Sequence, residues 1–163
     1  MLDTAPLRQA YDDLLTAAQR VTDGDATTDP APGEWNADQI LAHVAMVNAA
    51  TIAAAYAVAS GVNATYDNRV AQDNWSIQNT IDLAGGSPGL QLRIQAQATV
   101  LCALGGPALS DTELNTQIPA KLLSNDTLVV DQVLTLRDVI TGLADAEIPG
   151  HTQQLLALAS DLA

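Results

Sequence analysis

Apolar residues return every three or four positions along several stretches of this chain, the spacing of a helix with one buried face. In the first, Leu7, Tyr11, Leu14, Leu15, Ala18 and Val21 align, while Arg8, Asp12, Asp13 and Gln19 fall opposite. Thr4 is placed to cap this helix, and Pro6 is tolerated in its first turn. Residues 22–33 crowd Asp, Thr, Pro and Gly together and predict a loop. A second helix follows: Asn36 is a good N-cap, and Gln39 three residues later completes a capping box. Ile40, Val44, Val47, Thr51, Ala54 and Val58 form its stripe, and Gly61 ends it.

Residues 62–86 carry a weaker pattern. Val70, Ile77, Ile81 and Ala84 predict short helices with Ser76 as a cap, and Gly85-Gly86 breaks the chain. Ser87 as cap and Pro88 at the first helical position then open a third long helix, faced by Leu90, Ile94, Leu101 and Leu104. Gly105-Gly106-Pro107 closes it. From there the period changes. Residues 114–123 and 127–133 are richer in β-branched side chains, with Ser124-Asn125-Asp126 between them, which predicts a hairpin whose first strand Pro119 confines to a sheet edge. Thr135-Leu136-Arg137-Asp138 restarts helix towards the C-terminus. No internal repeat is present. The expectation is an all-α, antiparallel four-helix bundle over residues 1–163 as one domain, with a short helical insertion and a small β-hairpin before the last helix.

Composition narrows the picture. Phe is absent and aromatics make up 3%, so Leu, Val, Ile and Ala must fill the core, and Ala favours helix. Trp35 is expected to pack under the start of the second helix and Trp75 to anchor the core. Nineteen acidic residues against six basic ones give a net charge of -13, which argues against nucleic acids and anionic membranes as partners. The lone Cys102 excludes an internal disulfide, suits inert packing and fits a reducing, cytoplasmic setting. Asp3, Arg8, Asp12 and Asp13 do not resemble a secretory signal, so the Asn-x-Ser/Thr matches at Asn63, Asn74 and Asn125 carry no weight. Residues 40–59 are nearly uncharged, yet Ala-rich and interrupted by His43, Asn48 and Thr51; a buried central helix is expected rather than a membrane span.

The chain has two histidines. His43 lies about 60° from the centre of the second helix's stripe, on the shoulder of the buried face. Near the C-terminus, Glu147, His151, Leu155, Leu158 and Leu162 fall within about 80° of one another, so Glu147 and His151 form an i, i+4 pair if the backbone is helical there. Pro149 inside that turn opposes regular helix. Two imidazoles and a carboxylate on facing helices match many zinc or non-haem iron sites. A hydrogen-bonded core histidine is the commoner role for either one alone.

The run Pro32-Gly33-Glu34-Trp35-Asn36-Ala37-Asp38-Gln39-Ile40-Leu41-Ala42-His43-Val44 resembles the signature of the DinB/YfiT-like superfamily. The segment with Glu147, His151 and Gln154-Leu155 is similar to that family's closing H-x-x-x-H…Q-L element. Together these matches span about a fifth of the chain, in the family's order. The resemblance implies a bundle holding a divalent metal of the zinc, nickel or iron class through three histidines. It also implies a low-molecular-weight thiol of the mycothiol or bacillithiol type as co-substrate, used for transfer, isomerisation or hydrolysis; the mycothiol-dependent maleylpyruvate isomerases are relatives of that family. By position His43 and His151 match ligands, whereas Glu147 stands where the family has its other histidine. Arg69 is a candidate anion-binding group or a solvated surface cation, and Tyr66 and Asn68 are candidates for the pocket wall. Two further readings remain: a degenerate bundle that binds a small molecule without turnover, and a dimerising structural protein without metal.

Overall fold

Burial of Leu7, Tyr11, Leu14, Ala18 and Val21 along one side makes residues Ala5–Asp23 a helix, α1. Thr4 occupies the cap position, but its side chain bonds nothing there; Asp3 Oδ1 instead accepts from the Ala5 amide at 3.0 Å. In the computed structural model, residues 1–24, 30–124 and 127–159 are described. Residues 25–29 of the expected 22–33 loop, Asn125 and Asp126 of the expected hairpin turn, and Leu162 lie outside the described residues.

Helix α2 (Ala37–Ala59) opens with the expected capping box: the Gln39 amide donates to Asn36 Oδ1 and the Asn36 amide to Gln39 Oε1, both at 2.9 Å. Ile40, Leu41, Ala42, His43, Val44 and Ala45 are all buried in succession, so α2 is enclosed on several sides. That explains its near-continuous apolarity: 61% of its most apolar window lies inside the protein. It is the buried central helix anticipated for residues 40–59.

A single-turn 3-10 segment (Arg69–Gln72) leads into α3 (Asn74–Ala84). The cap of α3 is Asp73, not Ser76: the Ser76 amide and hydroxyl both donate to Asp73 Oδ2 at 2.8 Å. Trp75 is no core anchor. It stands 74% exposed, because Ile77 takes the buried face and two residues are about 200° apart on a helix. Gly85 and Gly86, both at φ +78°, form the corner into α4 (Ser87–Ala103). Gly86 is the residue before the helix, so Ser87 and Pro88 sit one step further inside than expected; the missing proline N–H still falls among the amides that no helix start satisfies.

After a widened turn (Leu104–Ala108) and the short α5 (Asp111–Leu114), β2 (Gln117–Ser124) and β3 (Thr127–Thr135) form the expected antiparallel hairpin. Leu114 ends α5 rather than beginning a strand. Two residues, β1 (Tyr66–Asp67), add a parallel strand on the other side of β2. Pro119 therefore lies in the middle strand, not at an edge. This is tolerated because β1 pairs only with Ala120 and Lys121, beyond the proline nitrogen. The protein is thus mostly helical, with a small three-stranded sheet ordered β1-β2-β3.

The chain then runs through α6 (Leu136–Gly142), a π-helical turn (Leu143–Glu147) and α7 (Ile148–Leu158) without a break. As expected, Pro149 opposes regular α-helix, and the turn before it is π-helical. In regular helix it would clash with the carbonyl four residues back and leave it without a donor; widening the preceding turn accommodates both defects. Helix α1 packs on α7 and α4, while α2 packs on α4, α3 and α7.

Hydrogen bonds from Ser76, Ser110 and Thr135 hold the capping carboxyls of Asp73, Glu113 and Asp138 below their usual range. Their folded values lie below their unfolded ones, so the caps stabilise the protein above about pH 4 and lose that effect as the pH falls further. The urea midpoint is expected to drop below about pH 4, and to drop less in Asp138→Ala. An equal drop in both would mean that the Asp138 cap contributes nothing to this pH dependence.

Candidate metal centre

His43 reaches the site from the first turns of α2, where the Asn36 capping box sets the phase of the helix. Its Nδ1 lies 2.7 Å from the Ala71 carbonyl oxygen. A carbonyl only accepts, so Nδ1 carries the hydrogen and donates, which leaves Nε2 as the atom facing the site. Across from it, the π-helical turn and α7 present Glu147 and His151 as the expected i, i+4 pair. His151 Nδ1 is 2.7 Å from Gln154 Oε1, one turn further on, and is likewise the donor.

Both Nε2 atoms converge on one carboxylate oxygen. Glu147 Oε1 is 3.0 Å from His43 Nε2 and 3.3 Å from His151 Nε2. Burial works to raise the Glu147 carboxyl, but hydrogen bonds and charge from His151 and His43 outweigh it and hold the group well below the carboxylate range. With both imidazoles neutral, three lone pairs would point at one another. Such a set of acceptor sites is one that a shared proton or a metal ion would bridge.

The donor set fits a metal. Two imidazole nitrogens and a carboxylate oxygen lie within 4.8 Å of one another, and each imidazole is oriented by an acceptor at its far nitrogen. His43 lies deepest, its side chain 4% exposed against 30% for Glu147. The three open onto a cleft of about 670 Å³, whose rim includes Gly33, Ser124 and Gly150.

Trp35 does more than pack beneath α2. Its ring centroid is 4.8 Å from that of His43 and 6.5 Å from that of His151, so the indole walls the triad. Its position one residue before the Asn36 cap, eight before His43, was the available signal. The Ala71 carbonyl had none, because a backbone acceptor leaves no trace in residue type.

Tyr66, Asn68 and Arg69 take other places; none of them lines the cleft. Tyr66 is buried in β1, and that burial, against a hydrogen bond with Thr51, pushes its phenol up to about 12. Asn68 clamps the hairpin to the helices: its Nδ2 donates to the Leu123 carbonyl at 3.1 Å, and the Leu123 amide donates to Oδ1 at 2.7 Å. Arg69 is exposed and paired with Asp67 through two nitrogens. Cys102 is buried, and burial raises its thiol, in keeping with inert packing. Asp12, Asp13 and Asp145 are exposed helix positions.

Compared with protein-family models, curated proteins and solved structures, the chain matches none of them.

Proposed function

We propose that this protein is a divalent-metal-dependent enzyme on a DinB/YfiT-like four-helix bundle, formed by α1, α2, α4 and the α6–α7 run. The metal is of the zinc, nickel or iron class, and the co-substrate is a low-molecular-weight thiol or water. One observation carries the reading: His43 Nε2, His151 Nε2 and Glu147 Oε1 converge at the floor of an open cleft. Replacing the family's third histidine by glutamate keeps a donor that zinc and iron both accept.

His43, Glu147 and His151 would hold the metal. Bound there, a divalent cation supplies positive charge that lowers the proton affinity of a thiol or water towards neutral pH. The Ala71 carbonyl and Gln154 keep both Nε2 lone pairs directed at the site. Trp35 covers the imidazoles on one side and restricts water there. Transfer, isomerisation or hydrolysis then depends on what the cleft admits beside the triad, which the bundle itself does not specify.

A second reading has its own support: the triad residues already satisfy one another, and among the described residues no buried side-chain polar atom lacks a partner. That suits a small-molecule pocket without metal or turnover. Metal content separates the two. Protein purified without a histidine tag and incubated with zinc, nickel, iron(II) and manganese is expected to retain about one ion per chain after gel filtration. Substoichiometric content with all four ions overturns the metalloenzyme and leaves the pocket. A panel of thiols and electrophiles then reads turnover.

A further inference from the structure

The distribution of charge around the cleft says what kind of molecule it admits. All six Lys and Arg side chains fall within the described residues: Arg8, Arg20, Arg69, Arg93, Lys121 and Arg137. None lines the cleft. Arg69 is held by Asp67, Lys121 lies 3.9 Å from Asp131, and Arg137 is bound to Asp111 and Asn115 at 2.8 and 2.9 Å. Arg8, Arg20 and Arg93 are exposed on α1 and α4.

Among the described residues the lining carries two carboxylates, Glu147 of the triad and Glu34, next in sequence to Trp35. Glu147 is engaged by both histidines. The Glu34 side chain has no hydrogen bond or ion pair among the described residues. Gln72 donates its Nε2 to the Leu123 carbonyl, which leaves its own carbonyl oxygen as the unbonded atom. Even with a dication on the triad, these two carboxylates formally cancel its charge, so no net positive field greets an anion. The chain's net charge of -13 acts in the same direction on approach.

We infer that the cleft takes an amine-bearing, cationic ligand rather than a carboxylate-bearing one, and that Glu34 is the residue that reads this charge. An ammonium group offers three donors and no acceptor, which matches a cleft lined by both a free carboxylate and an unbonded amide oxygen. The inference deepens the proposed function by naming a ligand class for the same site, but the charge selection itself does not depend on metal.

Three thiols of similar size test it: cysteamine, 2-mercaptoethanol and 3-mercaptopropionate. Each is titrated into isotope-labelled protein, zinc-loaded and zinc-free, following the amide signals of Gly33, Glu34 and Gly150. Cysteamine is expected to bind about tenfold more tightly than 3-mercaptopropionate, with 2-mercaptoethanol between them, and Glu34→Gln to reduce that ratio to about threefold. The control Asp13→Asn, an exposed carboxylate on α1, should leave the ratio unchanged. Equal or reversed affinities in the parent, or a ratio unaffected by Glu34→Gln, overturn the inference. So does an equal fall in the control, which would place the preference in overall charge. Failure of the metal reading shows separately, as absent zinc, while the zinc-free titrations still rank the three thiols.

Discussion

His43→Ala is expected to abolish stoichiometric metal binding while the helices remain folded. His43 is the one donor of the triad contributed by α2, and without it the remaining donors, Glu147 and His151, belong to a single helical run. Removing a partner that merely orients a ligand costs roughly 10–100-fold in metal affinity, so loss of a ligand should exceed that range. Gln154→Ala serves as the graded comparison, because Gln154 touches His151 at the nitrogen away from the site. The expected order of loss is His43→Ala and His151→Ala beyond Gln154→Ala, read by competition with a chelator of known affinity. Equal, unaltered affinity in all three variants would remove the triad from metal binding.

His43→Ala also has a structural cost. It strips the Ala71 carbonyl of its donor in a buried place, a loss of about 1–3 kcal/mol. Circular dichroism and the urea midpoint must therefore accompany the metal measurement. His151→Ala guards against misreading, since its side chain is 13% exposed and its Nδ1 partner is a side chain that can rotate to water.

Gly89→Ala is expected to destabilise the protein by about 3 kcal/mol, against the usual sign for this exchange. Within a helix, alanine ordinarily stabilises relative to glycine by up to about 1 kcal/mol. At Gly89, however, a Cβ would lie 1.8 Å from the Ala84 carbonyl oxygen and 2.8 Å from its carbon. Both are backbone atoms at the end of α3, and no side-chain rotation can relieve the overlap. The Gly85-Gly86 corner brings the start of α4 this close to the end of α3, and opening it would disturb the packing of Ile77 and Leu90. In a chain of this size the loss corresponds to a fall in Tm of roughly 6–12 °C. Gly142→Ala is the matched control: nothing lies within 4 Å of its added Cβ, so it should raise stability. A stabilised Gly89→Ala would mean the corner relaxes freely, and that α3 and α4 are not held in this register.

Much of this was legible along the chain because it rests on interactions within four residues. The Asn36–Gln39 box, the stripes on α1 and α2 and the Gly85-Gly86 break are of that kind, and the hairpin showed through its local residue types although its pairing reaches from Gln117 to Thr135. The two tryptophans show where local reasoning fails. Trp35 and Trp75 each stand near a helix start, yet one walls the imidazoles and the other faces solvent. Residue type does not say which side of a short helix meets the core; the position of Ile77 on α3 does. Asn68 and Arg69 likewise looked available for a ligand until β1 placed one against Leu123 and the other against Asp67.

By itself, then, the sequence determined where the long helices run, that Glu147 and His151 would share a face if the backbone were helical there, and that cations are scarce. Those follow from periodicity, caps and composition, which are local or additive. Tertiary structure decided that His43 meets Glu147 across 104 residues, that the Ala71 carbonyl turns its Nε2 inward, and that a π-helical turn reconciles Pro149 with the pair beside it. It also decided that all six Lys and Arg side chains stay out of the cleft. Each of these depends on how α2, α7 and the sheet pack, and packing couples residues whose distance along the chain carries no signal.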